Sequence, residues 1–146
     1  MTVLKAYDPA LISLVFDNQL ITGIQDGTFV EISRDEDSFF LHVGGDGEAA
    51  RARNSNRAGT IKFTLMQSSP SNDVLSALAT LDENTGGGVR PVMVKDNSGT
   101  TVAQGAQAWI QKPADVTFAK EPSEPREWLI RVADLRTVIG GAAVAA

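Results

Sequence analysis

Ile61-Lys62-Phe63-Thr64-Leu65-Met66-Gln67-Ser68-Ser69-Pro70-Ser71-Asn72-Asp73-Val74-Leu75-Ser76-Ala77-Leu78 changes its hydrophobic period once, and that change decides the fold class. As far as Leu65, apolar and polar residues alternate, so an extended strand has one apolar face. After Ser69-Pro70 the period becomes helical: Val74, Leu78 and Leu81 fall on one stripe, with Leu75 beside them. Ser69 is placed to cap the helix, Pro70 to take its first position and Asp73 to meet the positive end of its dipole. Gly86-Gly87-Gly88 is the stop. A helix is therefore expected over 70–84, packing through Val74, Leu78 and Leu81 and turning a polar face outward.

On both sides of this switch the period is that of strands. Residues 11–16 and 19–22 flank Asp17-Asn18 and read as a hairpin; Gly23 and Asp26-Gly27 mark turns. Segments 28–34 and 39–43 are two strands, with Asp35-Glu36-Asp37 as the acidic tip between them. Residues 44–59 are the longest polar stretch, with two acids and three arginines, and read as a long loop or an extended β-excursion. Long loops in compact domains are uncommon and are usually functional or disordered. Segment 91–95 is a strand, Asp96-Asn97-Ser98-Gly99 a turn, and 100–110 a strand with Val102, Gln104, Ala106, Ala108 and Ile110 on one face. Val116 and Phe118 suggest another short strand, Pro122 and Pro125 a loop, and 127–132 a last long strand. The tail 141–146 is expected to fray. The sum is a single mainly β domain over 1–146, a barrel or sandwich of about eight or nine strands with one flanking α-helix.

Composition removes most chemistry. The chain has 146 residues, no cysteine, one histidine and a formal net charge of −5. Without cysteine there is no disulfide frame, no Cys-ligated metal and no thiol nucleophile. His42, on a strand beside Phe40 and Leu41, cannot alone make a His-rich metal site, and a Ser-His-Asp triad would need this same residue. Asp35-Glu36-Asp37 reads as a solvated turn ahead of a glycosidase pair. Asp46-Gly47-Glu48 lacks the alternating acids of a calcium loop, and Gly86-Gly87-Gly88 lacks the Lys and Ser/Thr of a phosphate loop. No cofactor or metal is expected. The excess of acid argues against a general nucleic-acid binder. Arg51, Arg53 and Arg57, with Asn54 and Asn56, lack interleaved aromatics, so ion pairing between proteins is the favoured reading for them. Phe63, Phe118, Trp109 and Trp128 are expected in the core or at a subunit seam. No apolar run reaches the ~18 residues of a membrane helix, and the N-terminus does not read as a leader, so manufacture and use in soluble form are expected.

A strand-rich chain without chemistry, carrying one long polar excursion, suits assembly, where a neighbouring copy covers open strand edges. Several segments, taken in order, resemble the tail tube proteins of contractile-tailed bacteriophages. They are Val43-Gly44-Gly45-Asp46-Gly47-Glu48, Arg51 through Asn56, the stretch quoted at the outset, Val94-Lys95-Asp96-Asn97-Ser98-Gly99-Thr100-Thr101, Ala108-Trp109-Ile110-Gln111-Lys112-Pro113 and Arg126-Glu127-Trp128. The resemblance spans about Tyr7 to Gly140. It implies a barrel or sandwich with a flanking helix, and six copies per ring, stacked into a hollow tube. It also implies partners: a tape-measure protein inside, a contractile sheath outside, baseplate and terminator proteins at the ends, and DNA passing through the lumen without specific binding. The place is the virion tail, after synthesis in the host cytoplasm. On this reading Asp46 and Glu48 pair with Arg51, Arg53 or Arg57 of a neighbour, with Asn54 in the same contact. Part of the set Glu31, Asp35, Glu36 and Asp37 faces the lumen or an adjacent ring. The alternatives are a tail terminator or capsid decoration protein, a secretion-system tube protein and a carbohydrate-binding module.

Overall fold

A computed structural model describes residues 4–24 and 29–141. A short 3-10 turn, Pro9–Leu11, leads into β1 (Ile12–Phe16), β2 (Gln19–Leu20), β3 (Val30–Arg34), β4 (Phe39–Val43), β5 (Ala49–Arg53) and β6 (Gly59–Leu65). Then come α1 (Ser71–Thr85), β7 (Arg90–Asp96), β8 (Val102–Ile110), β9 (Arg126–Val132) and β10 (Arg136–Val138). The main sheet runs β2-β1-β7-β8-β9-β6-β3, with β10 also on β8, and every pairing is antiparallel. The sheet curls, so that Ile12 and Val94 face Val30 and Ile32 across a shallow cleft. This is the mainly β fold with one flanking helix that the periodicity predicts. The turn expected at Asp26-Gly27 and the fraying expected after Gly141 lie outside the described residues.

Local signals succeed where they are strongest. β6 buries Ile61, Phe63 and Leu65 and leaves the residues between them half-exposed, as alternation requires. Asp17 and Asn18 both have positive φ, at 56° and 59°, the geometry of a two-residue hairpin turn. Gly86 ends α1 in the left-handed region, at φ 71°, and its N–H donates to the Asp82 carbonyl at 2.8 Å.

The helix is rotated and shifted from its expected setting. It begins at Ser71, and its buried face is Ser71, Leu75, Leu78 and Ala79. Val74 is at the edge of the core and Leu81 is 40% exposed, so the expected stripe through Leu81 is corrected. Long-range bonds set the rotation. The Ser69 hydroxyl donates to the Thr22 carbonyl and accepts from Ser71 N–H, and the Ser71 hydroxyl accepts from Thr22 N–H. The Asn72 carboxamide oxygen accepts from the Trp128 indole N–H at 2.9 Å, while its Nδ2 donates to the Met66 and Ser69 carbonyls, both at 3.1 Å. Asn72→Ala strands a nearly buried indole donor, so a loss of about 1–3 kcal/mol is expected, read as a lower urea midpoint at unchanged m.

Three strand expectations are also corrected. β3 pairs with β6, not with β4, because the inward residues Val30 and Ile32 gain a core face there. Of the two readings offered for 44–59, residues 49–53 take the β-excursion: they form β5 and pair with β4. In β8 the buried set is Ala103, Gly105, Ala108 and Ile110, whereas Gln104 and Ala106 are exposed. One extra β8 residue lies between the Val92–Gly105 and Arg90–Ala108 pairs, a bulge that switches the strand's parity. Val116 and Phe118 are in no strand: Pro113, Pro122 and Pro125 offer no donor, and the Arg126 guanidinium takes up the Thr117, Glu124 and Pro125 carbonyls.

Candidate assembly surface

β4 and β5 form a two-stranded hairpin outside the main sheet, exposed at every position. Register places Phe39 opposite Arg53, Leu41 opposite Arg51 and Val43 opposite Ala49 on one face, with Phe40 opposite Ala52 and His42 opposite Ala50 on the other. Phe39, Phe40, Leu41 and Val43 are 45%, 47%, 72% and 55% exposed, and the Arg51 guanidinium lies 4.2 Å from the centroid of the Phe39 ring. An isolated hairpin is marginal in water, and among the described residues nothing forms a second layer over its apolar side chains. Sequence reasoning missed these four residues. Phe39-Phe40-Leu41 reads as a buried strand, but its partner Ala49-Ala50-Arg51-Ala52-Arg53 is too small and too charged to enclose it.

The tip is a tight turn. Gly44 N–H donates to the Glu48 carbonyl at 2.7 Å, Glu48 N–H to the Asp46 carboxylate at 3.1 Å, and Gly47 has φ 87°. Asp46, Glu48, Arg51, Arg53 and Arg57 make no ion pair with a described residue. Asn54 is instead committed at the hairpin's base. Its Nδ2 donates to Glu36 Oε2 at 3.0 Å and to the Asp37 carbonyl at 2.9 Å, and its backbone N–H donates to the Ser38 carbonyl.

The acidic segment 35–37 is thus the clamp at that base, not a hairpin tip. Arg131 forks onto Asp35 with bonds of 2.9 and 2.5 Å and also donates to Thr60. Bonding to Arg131 holds the Asp35 carboxyl below the ordinary aspartate range and raises Arg131. Glu36 is likewise lowered, by the Asn54 and Asn56 amides, against desolvation and the Asp35 charge. A depressed carboxylate stabilises fully above its unfolded pKa, near 4.5, and loses that contribution as pH falls through the lower folded value. The Asn54 and Asn56 backbone amide signals should therefore move together as the pH falls below the ordinary glutamate range in an NMR titration, and Glu36→Gln should abolish that movement. Glu31 is elsewhere, on β3, where Lys62 lies between it at 3.8 Å and Glu127 at 3.4 Å. The structure thus brings Asp35 and Glu36 to the base of the hairpin that carries Asp46, Glu48, Arg51 and Arg53, while Val74, Leu78 and Leu81 lie on α1, away from the sheet pairings.

Comparison with known proteins agrees with this architecture. A protein-family model described as the bacteriophage PhiTE tail tube protein matches residues 16–140. Structural protein ORF10 of Pseudomonas phage KPP10 is 27% identical over 145 residues, covering 94% of this chain and 83% of that protein. Among solved structures, the sheath/tube terminator of the extracellular contractile injection system PVC, in its extended state, superposes with a TM-score of 0.66. It is 10% identical, and the match covers 94% of this chain and all of that one. The tube-terminating cap of the anti-feeding prophage gives a TM-score of 0.59 at 8% identity, covering 94% of both chains. At these identities the two structures bear on fold alone.

Proposed function

The chain belongs to the family of the bacteriophage PhiTE tail tube protein, and from that membership we propose that it is a structural virion protein that builds the hollow inner tube of a contractile tail. Six copies close a ring, rings stack, and DNA leaves through the bore without specific binding. The tape-measure protein lies within, the sheath outside, and baseplate and terminator proteins at the ends; synthesis is in the host cytoplasm. The observation that carries this reading is the β4–β5 hairpin, whose exposed apolar side chains find no second layer among the described residues. A neighbouring copy supplies that layer, with Asp46, Glu48, Arg51, Arg53 and Arg57 as its polar contacts and Asn54 as the residue that aims the hairpin.

The wall is inert by neutralisation. On the outer side of β3, β6 and β9, Lys62 is held by Glu31 and Glu127, and Arg131 by Asp35. A polyanion sliding past this side meets Lys62 and Arg131 already neutralised, which supports a bore-facing or ring-facing place for Glu31, Asp35, Glu36 and Asp37. The role needs no reaction and no cofactor.

Negative-stain microscopy of the purified chain tests the proposal. Long hollow tubes are expected, and a protein that stays monomeric at every concentration would refute it. A tail terminator is the second reading, favoured by the likeness to the two tube-ending proteins. It predicts single rings that cap tubes and do not stack.

A further inference from the structure

A groove of about 600 Å³ lies on the outer side of β1, β7, β8 and β10. That lies within the ~300–1,000 Å³ usual for ligand clefts. Register explains its floor: Val15, Met93, Gln104 and Arg136 stand opposite one another across the four strands. The bulge at 106–107 forms one wall, and the crossing from β9 to β10, where Ala133 N–H donates to the Gln107 carbonyl, forms another. Lys95 is two residues along β7 from Met93 and projects to the same side. It is exposed and makes no ion pair with a described residue.

We propose that this groove receives the hairpin tip, residues 44–48, of a second copy of the chain. The inference rests on the tube reading and names the surface that the hairpin meets. Three properties match. The tip is slim, since three of its five residues, Gly44, Gly45 and Gly47, carry no side chain. It is acidic: Asp46 and Glu48 flank Gly47 without an ion-pair partner among the described residues; Arg136 in the groove already shares its charge with Asp134 at 3.2 Å, so Lys95 beside the groove is the cation left to meet the tip. It also carries open donors, because Gly45 and Asp46 N–H have no protein partner among the described residues, while Gln104 and Gln107 are among the residues that line the groove. Tip and groove are different surfaces of one chain, so the contact is head-to-tail and propagates from copy to copy, closing into a ring or extending as a stack.

The absence of cysteine makes the test direct. Gly45→Cys and Ala106→Cys proteins are purified separately, mixed under assembly conditions and oxidised. About half of the chains, the share that random mixing places tip to groove, should appear as a disulfide-linked pair, with little linkage between Gly45→Cys and a Val116→Cys control. Assemblies that form without the 45–106 link overturn the proposal. A 45–106 link without rings or tubes retains the groove contact and rejects the tube reading, whereas neither link nor assembly rejects both. In a second arm, Asp46→Lys with Glu48→Lys, and separately Lys95→Glu with Arg136→Glu, should each cut the assembled fraction at least tenfold, with monomer melting unchanged. Mixing the two reversed proteins should restore assembly, because alternating copies pair every tip with a groove of opposite charge. Mixtures no better than either parent overturn the proposal.

Discussion

Phe63→Ala is expected to destabilise the chain by about 3–5 kcal/mol, a large part of the ~5–15 kcal/mol that holds a domain together. The reason is position. Phe63 is 1% exposed and stands in register between Val30 on β3 and Trp128 on β9, so its ring fills the layer where three strands turn the same face inward. β6 is also the strand that joins β3 to the rest of the sheet, so a cavity there weakens both of its pairings. Removing the ring deletes its transfer free energy and leaves a void that two paired strands cannot close. Urea unfolding should show the midpoint falling at constant m, with Phe63→Leu recovering more than half of the loss. A change below about 1 kcal/mol would mean that the alternation of 61–65 does not face the core.

What the sequence reveals is local, and what it hides is non-local. The strand at 61–65, the glycine stop at Gly86 and the Asp17-Asn18 turn can be read directly, because each depends on a few neighbouring side chains. The partner of β4 cannot, since 28–34 and 49–53 both suit an antiparallel strand; the choice is made by the core face that β6 offers to Val30 and Ile32. The helix rotation depends on Asn72 meeting Trp128, 56 residues away, and the acidic clamp on Asp35 meeting Arg131, 96 residues away. No window of sequence contains either pair. The β8 parity is hidden by its bulge, which moves Ala106 to the outside although its spacing from Ala108 and Ile110 places all three together. The polar members of the assembly surface stand out as a long mixed-charge stretch. Its apolar members do not, because Phe39-Phe40-Leu41 looks like core until the strand is seen to stand alone.

Phe40→Ser combined with Leu41→Ser is expected to abolish assembly while leaving the fold intact, the opposite of Phe63→Ala. Both side chains are exposed, at 47% and 72%, and neither is in the core, so monomer melting should change by no more than about 0.5 kcal/mol. Their share of the intersubunit contact is much larger. Fully burying a Phe or Leu side chain is worth about 1.5–3 kcal/mol, and roughly half of these two remains to be covered, so each contact loses about 2–3 kcal/mol. At 1.4 kcal/mol per factor of ten, the concentration needed for rings or tubes should rise about 30- to 100-fold, measured by sedimentation across a dilution series. The two residues point to opposite faces of the hairpin, so the single variants separate the faces. If Leu41→Ser alone produces the whole effect, the face shared with Arg51 and Arg53 meets the neighbour; if Phe40→Ser does, the alanine face does. Assembly unaffected by the double variant would remove the hairpin from the contact and leave ring closure to the open edges of β2, β3 and β10. Those edges present far less apolar surface than β4, and β2 is only two residues long. A tube built on them alone would need its stacking contacts from elsewhere, so the double variant also decides whether one element serves both closure and stacking.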